Sequence, residues 1–271
     1  MRFPNFRRKA LTLSYDDGVK FDKRLISILD QYGLKATFNI NGGLFGEKSG
    51  DRRLTKEEAV ALYANSSHEV AIHGYKHLSL AEVDKGMAAF DVIEDRKVLE
   101  ETFGRVIQGM AYANGSYDDK VVALLKDCGV LYARTVISTE DFTLPQDWLR
   151  LPATCHHANP RLMELAKKFV EEQESAYVWA RAPKLFYLWG HSYEFDDGNN
   201  WEIIEEFAKY VGRREEIWYA TNGEIYEYVK AFESLSFSVA GTLVYNPSAI
   251  DVYIRYNGKN VRIPSGETVQ L

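Results

Sequence analysis

The chain has 271 residues, of which 46% are apolar and 27% charged, a composition typical of soluble globular proteins. This length suits one large domain, or a domain with a small appendage, and suffices for a full hydrophobic core. The net charge of −6, with lysines and arginines scattered along the chain, excludes the basic face that nucleic-acid binding requires. No segment approaches the ~20 consecutive apolar residues of a membrane helix, so no membrane partner is expected. The first residues lack the apolar run of a signal peptide, which predicts a cytoplasmic protein, or an extracytoplasmic one if an export signal has been trimmed away.

Short apolar runs alternate with longer amphipathic segments from the start of the chain to about residue 234. The short runs, which have the length of buried strands, are Ala10–Ser14, Ala36–Ile40, Glu69–Ile72, Val106–Tyr112, Val130–Val136, Leu149–Ala153, Leu185–Trp189 and Ile217–Ala220. The amphipathic segments, which predict helices, are Phe21–Tyr32, Leu80–Phe103, Asp118–Cys128, Pro160–Glu174, Trp201–Arg213 and Glu224–Ser234. Repeated alternation of strand and helix indicates parallel strands. With seven to eight strands in a chain of this length, we predict a (β/α) barrel over residues 1–234.

The end of the chain has a different pattern. Between Phe237 and Leu271 apolar and polar residues alternate, and Asn257-Gly258 is a tight-turn signal. We therefore predict a small β-rich appendage over residues 235–271, packed on the barrel.

Chemically capable side chains follow five of the predicted strands. They are Asp16 and Asp17 after the first strand, His73 and His77 after the third, Tyr112, Asn114 and Tyr117 after the fourth, His156 and His157 after the sixth, and His191 after the seventh. In (β/α) barrels the carboxyl ends of the strands carry the active site. We therefore expect these side chains to meet at one rim.

Asp16 and Asp17 lie in the segment Tyr15-Asp16-Asp17-Gly18. Neighbouring residues at a strand end point in different directions, so one carboxylate can bind a metal while the other accepts a proton. A turn with a capping aspartate is the alternative, because Asp-Asp-Gly also favours turns.

His73 and His77 are four residues apart, which would place both rings on one side of a helical turn and close enough to hold one ion. With one aspartate they would supply three protein ligands and leave positions open for water, the arrangement of catalytic rather than structural metal sites. An accidental surface pair is the alternative. His191 has no partner at metal-binding spacing, so it is either a structural residue or a general acid that works near neutral pH.

At these residues the sequence resembles the polysaccharide deacetylases, the NodB-homology or family-four carbohydrate esterases. Their first motif, Thr-Phe-Asp-Asp-Gly, is similar to Ser14–Gly18. Their second, His-Ser/Thr-x-x-His after Gly-His-Glu-Ile, is similar to Ser67–Val70 followed by His73–His77, with Gly74 in place of Ser or Thr. The late Leu-x-His motif matches Leu188–His191 loosely, and an Asp-Trp element is a weak match to Asp147-Trp148.

The resemblance implies a distorted (β/α) barrel and a divalent metal, commonly Zn²⁺. It implies Asp17, His73 and His77 as metal ligands. It further implies Asp16 as general base and His191 as general acid in the hydrolysis of an acetamide. The partner would be an acetylated oligo- or polysaccharide. Flat rings pack against sugar faces, and the candidates for substrate contact are Tyr112, Asn114, Tyr117, Trp148 and Trp189. The backbone N–H of Tyr112 is a candidate for holding the developing oxyanion.

The third motif departs from the family. Its usual Arg, which braces the base, and its Pro-rich stretch are absent from Gly109–Tyr117. Either Arg150 or Arg134 braces Asp16 instead, or the base is less well oriented and activity is reduced.

Three other functions compete with N-deacetylation of a sugar. Two histidines and one carboxylate also form the facial triad of iron oxygenases, although the second carboxylate argues against it. The same residues would serve hydrolysis of an O-acetyl ester or a non-sugar amide. A carbohydrate-binding relative that has lost catalysis is the third.

Overall fold

A computed structural model describes residues 1–47, 52–177 and 181–271. The parallel strands are β1 Lys9–Asp16, β2 Ala36–Ile40, β3 Glu69–Ile72, β4 Gly109–Ala111, β5 Tyr132–Ser138, β6 Leu151–Ala153, β7 Cys155–His156, β8 Lys184–Gly190 and β9 Ile217–Tyr219. The helices are α1 Asp22–Gln31, α2 Lys56–Tyr63, α3 Lys85–Phe103, α4 Asp119–Asp127, α5 Leu162–Glu171, α6 Ser192–Asp197, α7 Glu202–Val211 and α8 Asn222–Glu233. Every predicted strand and helix is present, and the structure adds β7, α2 and α6.

The parallel strands close on themselves in the order β6-β5-β4-β3-β2-β1-β8-β7. Closure depends on the segment Leu151–His156, which pairs with β5 through β6 and with β8 through β7. The barrel is distorted at β1, where one edge pairs with β8 while the other pairs first with β9 and then with β2. The predicted distorted (β/α) barrel is thus confirmed.

Successive residues of β1 face opposite sides, as the pleat of a strand requires. Leu11, Leu13 and Tyr15 belong to the main apolar core between the barrel and its helices. Thr12, Ser14 and Asp16 are equally buried but bond to side chains of other elements, for example Thr12 Oγ1 to Asn222 Oδ1 at 2.9 Å. The inward face of β1 is therefore polar toward its carboxyl end, and residues at inward positions on facing strands can meet there.

The C-terminal strands form two small antiparallel sheets beside the barrel. They are β10 Ser236–Phe237, β11 Leu243–Tyr245, β12 Val252–Tyr256, β13 Lys259–Ile263 and β14 Thr268–Gln270. Asn257 and Gly258, both at positive φ, form the tight turn between β12 and β13. The predicted β appendage is present, and its boundary after residue 234 stays a prediction. Within the described residues, no helix has the length and apolar character needed to cross a membrane.

Candidate active site

Asp16 ends β1 with its side chain inside the barrel, 3% exposed. Its Oδ2 forms a buried ion pair with Arg134 Nη2, and its Oδ1 accepts a hydrogen bond from Asn39 Nδ2 at 2.8 Å. Burial by itself would raise the pKa of Asp16, but the positive charge of Arg134, with His73 and His191 nearby, outweighs it and lowers the pKa to about 2. Asp16 is therefore a carboxylate at neutral pH.

Asp17 stands in an unusual backbone conformation at the end of the strand. Its φ is +88°, in the region that non-glycine residues rarely adopt, and Gly18 follows at +64°. The Asp17 N–H donates to Asn39 O at 2.9 Å, and Arg53 Nη1 bonds the Asp17 carbonyl oxygen. Strained residues of this kind cluster at functional sites, where the surrounding structure holds them in place.

The segment from His73 to His77 is a turn and not the predicted helical turn. The carbonyl oxygens of His73 and Gly74 accept hydrogen bonds from Asn41 Nδ2 at 2.8 and 2.7 Å instead of entering a helix. Gly74 has φ +86°, and a Cβ there would lie 2.4 Å from Asp91 Oδ2, so the Ser or Thr of the related motif would not fit. His77 is itself at φ +57°. The prediction of helical geometry was wrong, yet the two rings meet, with centroids 4.8 Å apart.

Side chains of α3 hold this turn from behind. Asp95 accepts from the His73 N–H at 2.9 Å and from the Gly42 N–H at 2.5 Å, and Asp91 accepts from the Lys76 N–H at 2.7 Å. The turn is thus fixed against both β2 and α3, which sets where the histidine rings point.

Asp17, His73 and His77 form a group that could hold a metal ion. Asp17 Oδ1 lies 3.9 Å from His73 Nε2 and 3.7 Å from His77 Nε2. His73 Nδ1 lies 3.0 Å from Ala111 O and donates to it, which leaves a lone pair on Nε2. Burial lowers the pKa of His73 to about 4, so the ring is neutral at pH 7. Among the described residues, the buried His73 Nε2 has no hydrogen-bond partner, so its lone pair is available to a cation. The three side chains therefore fit a divalent metal.

His191 follows β8 on the opposite side of Asp16 from the His73–His77 turn. Its Nε2 lies 3.8 Å from Asp16 Oδ2, and its Nδ1 lies 3.0 Å from Glu194 Oε1. Burial opposes protonation of the ring, but the hydrogen bond to Glu194 and the charges of Asp16 and Asp17 outweigh it and raise the pKa of His191. These contacts favour the protonated form of the His191 imidazole beside the buried carboxylate.

Of the predicted substrate contacts, three lie near the ends of β4 and β8. Tyr117 is half-buried and stacks on Tyr112, while Asn114 is exposed and its Nδ2 donates to Ser79 Oγ at 3.1 Å. Trp189 is 9% exposed and lies against the guanidinium of Arg134, 4.3 Å from ring centroid to Cζ. Their contact with a substrate stays a prediction.

The Tyr112 and Arg150 assignments need correction. The side chain of Tyr112 is buried and donates to Leu149 O at 2.8 Å, and its backbone N–H donates to Arg134 O at 3.0 Å, so that N–H is not free to hold an oxyanion. Trp148 is 6% exposed and packs edge-on against Tyr226, and its contact with a substrate stays a prediction.

Arg150 does not brace Asp16, because its partners are Asp119 and Asp147. Arg134 makes that contact. Asp147 caps the short turn that contains Trp148, with the Leu149 N–H donating to its Oδ1 at 3.0 Å, so the suggested Asp-Trp element has a local structural role.

Two residues of the site were not proposed from the sequence. Glu194 contacts His191 and both histidines of the His156-His157 pair. Arg53 Nη1 lies 3.1 Å from Asp17 Oδ1. The spacing of His191 and Glu194, three residues apart on the start of a helix, could have suggested their contact, but nothing near Arg53 in the sequence points to Asp17.

Residues 4–133 match the model of the polysaccharide deacetylase family. Chitin deacetylase 1 of Cryptococcus neoformans var. grubii is 28% identical over 119 residues, which are 44% of this chain and 24% of that protein. The chain thus matches about a quarter of the length of that relative.

Among solved structures, the proposed polysaccharide deacetylase of Mycobacterium smegmatis has a TM-score of 0.61 at 17% identity, covering 86% of this chain and 94% of that one. PuuE allantoinase also has a TM-score of 0.61, at 14% identity, covering 83% of this chain and 91% of that one. A pseudoenzyme of the CE4 family from Bacillus anthracis has a TM-score of 0.50 at 14% identity, covering 82% and 66%. At these identities the structural likeness shows the barrel fold alone.

Proposed function

We propose that the protein is a metal-dependent hydrolase that removes acetyl groups, N-acetyl above all, from a saccharide. The match of residues 4–133 to the polysaccharide deacetylase family model supports the proposal. One observation carries the proposal: Asp17, His73 and His77 bring three ligand atoms together beside the buried carboxylate of Asp16. A carboxylate that can act as a base, next to a potential metal site, is the arrangement that hydrolysis of an acyl bond needs.

In this proposal Asp17, His73 and His77 hold a divalent cation, Zn²⁺ in the first instance. When bound, the cation would polarise the acyl carbonyl and make a nearby water more acidic. The neutral state of His73 and the free lone pair on its Nε2 support this assignment.

Asp16 is the general base in the proposal, taking the proton of the attacking water on its Oδ2. Arg134 and Asn39 hold the carboxylate in one orientation from two sides. The missing third-motif arginine motivated a catalytically impaired relative as an alternative. The contact of Arg134 with Asp16 argues against this alternative, since β5 supplies a guanidinium to the base.

His191 is the general acid, giving its Nε2 proton to the leaving amine. Its Nε2 lies 3.8 Å from Asp16 Oδ2, so the acid and the base lie next to each other at the same site. The raised pKa of His191 favours its acid form, and the lowered pKa of Asp16 favours its base form, as the two roles require.

Acetate release from a panel of N- and O-acetylated oligosaccharides and simple acetamides tests the proposal. We expect zinc-loaded protein to release acetate from an N-acetylated oligosaccharide and Asp16→Asn to lose about 100-fold or more in kcat. If hydrolysis is confined to O-acetyl esters or to non-sugar amides, the proposed substrate, an N-acetylated saccharide, is wrong. If the zinc-loaded protein binds saccharide without releasing acetate, the protein is a carbohydrate-binding relative and not an enzyme.

A further inference from the structure

A cluster of three histidines surrounds one carboxylate beside the proposed active site. It comprises His156, His157, His191 and Glu194, and is called the histidine–glutamate cluster below. Glu194 Oε2 lies 2.7 Å from His157 Nε2 and 3.2 Å from His156 Nε2. Glu194 Oε1 lies 3.0 Å from His191 Nδ1. Three imidazoles from two strand ends therefore converge on one carboxylate.

The backbone fixes which nitrogen of His156 carries the proton. The Ala158 N–H donates to His156 Nδ1 at 3.1 Å, so the neutral ring has its proton on Nε2, the atom that faces Glu194. The protonated Nε2 of His156 therefore faces the carboxylate at ion-pair distance. The same bond argues against His156 Nε2 as a metal ligand, since that nitrogen would need its lone pair free, as His73 Nε2 has.

His157 is held rigidly in the position from which it reaches Glu194. Its backbone N–H donates to Trp189 O at 2.8 Å, and its ring packs against Phe195 with centroids 4.1 Å apart. Its Nδ1 lies 2.1 Å from where a Cβ at position 190 would stand, so only glycine at Gly190 leaves room for the ring. The contact with Glu194 is thus built into the packing.

Both of these histidines lie against Oε2 of Glu194, and Oε1 is left for His191. His191 Nδ1–H donates to that oxygen, which directs Nε2 toward Asp16 Oδ2, 3.8 Å away. The charged or titratable groups around the ring are Glu194 on α6, Asp16 and Asp17 after β1, His156, whose ring centroid is 6.3 Å away, and Tyr193, at 5.2 Å. The three carboxylates favour the imidazolium, and Glu194 alone among them bonds the ring directly.

We propose that Glu194 is the positioning residue of the general acid, fixing the orientation and favouring the charged form of His191, and that His156 and His157 support Glu194 in turn. This inference deepens the proposed function and rests on it for its catalytic consequence. Histidines at functional sites are commonly oriented by a carboxylate on the second nitrogen. Glu194 supplies such a carboxylate to His191 from the helix that follows it.

The first test replaces Glu194 by an uncharged group of the same shape. In Glu194→Gln we expect kcat to fall about 100-fold with KM nearly unchanged, and the alkaline limb of the rate profile to move to lower pH. Glu194→Asp, which keeps the charge, should recover part of the activity. Glu206→Gln on α7, an exposed carboxylate outside the site, should match the unaltered protein. A rate profile in Glu194→Gln that keeps its alkaline limb in place would overturn the inference.

A second test does not depend on activity, so it separates this inference from the proposed function. The chain has six histidines, and ¹⁵N-labelled histidine would let the titration of each ring be followed by NMR in the zinc-loaded protein. The His191 signal is assigned by its loss in His191→Gln. We expect the His191 pKa to fall in Glu194→Gln and in His157→Gln, and to stay in Glu206→Gln. An unchanged His191 pKa in Glu194→Gln would contradict the inference even if the protein deacetylates sugars.

Zinc titration tests the rival assignment of the histidine–glutamate cluster, which is a second metal site. His156, His191 and Glu194 also have ligand atoms within 4.8 Å of one another. We expect one zinc equivalent, retained in His156→Gln. A second equivalent that His156→Gln abolishes would make the cluster a metal site and overturn the positioning role.

Discussion

Arg134 of β5 and Asp16 of β1 form an ion pair inside the barrel, with side chains 0% and 3% exposed. The two strands are on different sides of the barrel, and the residues meet because both occupy inward positions. Trp189 covers the other side of the guanidinium. A cation from β5 thus takes the place of the arginine that the third motif lacks.

Removing this cation should affect both stability and rate. Arg134→Met leaves a buried carboxylate without a partner, which costs about 3–5 kcal/mol of unfolding free energy. The pKa of Asp16 should rise, because the charge of Arg134 is what lowers it against burial. We therefore expect denaturant unfolding at a lower midpoint and the acid limb of the rate profile at higher pH.

The double variant Asp16→Asn/Arg134→Met is the control for stability. With the charge gone, it should be more stable than Arg134→Met alone. An acid limb that stays in place in Arg134→Met would show that Asp16 is not the base.

Gly190→Ala tests the His157 support without removing any polar group. The new methyl would displace the His157 ring, whose Nδ1 lies where the Cβ must go. We expect kcat to fall about tenfold or more, because a loosened Glu194 no longer orients His191. Gly86→Ala, on the exposed first turn of α3, is a matched control. Equal kcat for the two variants would count against the support.

Tyr112→Phe separates a structural role from substrate contact. The hydroxyl is buried and donates to Leu149 O, so its loss should lower the free energy of unfolding by about 1 kcal/mol. KM for the saccharide should not change. A several-fold rise in KM without loss of stability would instead support the original assignment to substrate binding.

Asp22 should make stability depend on pH. It is buried, and burial raises its pKa to about 7 from the ordinary 3.8, despite bonds from Ser192, Tyr63 and Val19. The folded state thus binds a proton that the unfolded state releases. The stabilisation is complete below about pH 3.8 and is lost as pH rises through about 7.

Asp22→Asn has no carboxyl group to titrate at this position. As the pH rises from 5 to 9, its free energy of unfolding should therefore increase relative to that of the unaltered protein. Asp127→Asn, at an exposed site, should follow the unaltered protein. Parallel curves for Asp22→Asn and the unaltered protein would refute the raised pKa.

The barrel was predictable from the sequence because short apolar runs alternate regularly with amphipathic segments. The bounds of β2 and β3 agree with the prediction residue for residue. The sequence did not predict β7, which has only two residues. It also placed the His73–His77 pair on a helical turn. Spacing alone could not show that Asn41 takes the carbonyl oxygens of His73 and Gly74.

The site was predictable where its residues follow strands and not where contacts cross the barrel. Asp16, Asp17, His73, His77 and His191 were all proposed from strand ends, and the structure brings them together. Choosing Arg134 over Arg150 required the inward register of β5, which sequence periodicity left open. The positive φ of Asp17 and the approach of Arg53 depend on tertiary packing.

The central claim is that Asp17, His73 and His77 grip one catalytic cation, and metal analysis of the purified protein alongside acetate release tests it most directly. We predict one zinc equivalent per chain, lost in His73→Ala, with activity that disappears on chelation and returns with zinc. The control His68→Gln removes a histidine that bonds Ala36 and Asp30, and should keep its zinc. Full acetate release by the metal-stripped protein, or by His73→Ala, would contradict the account.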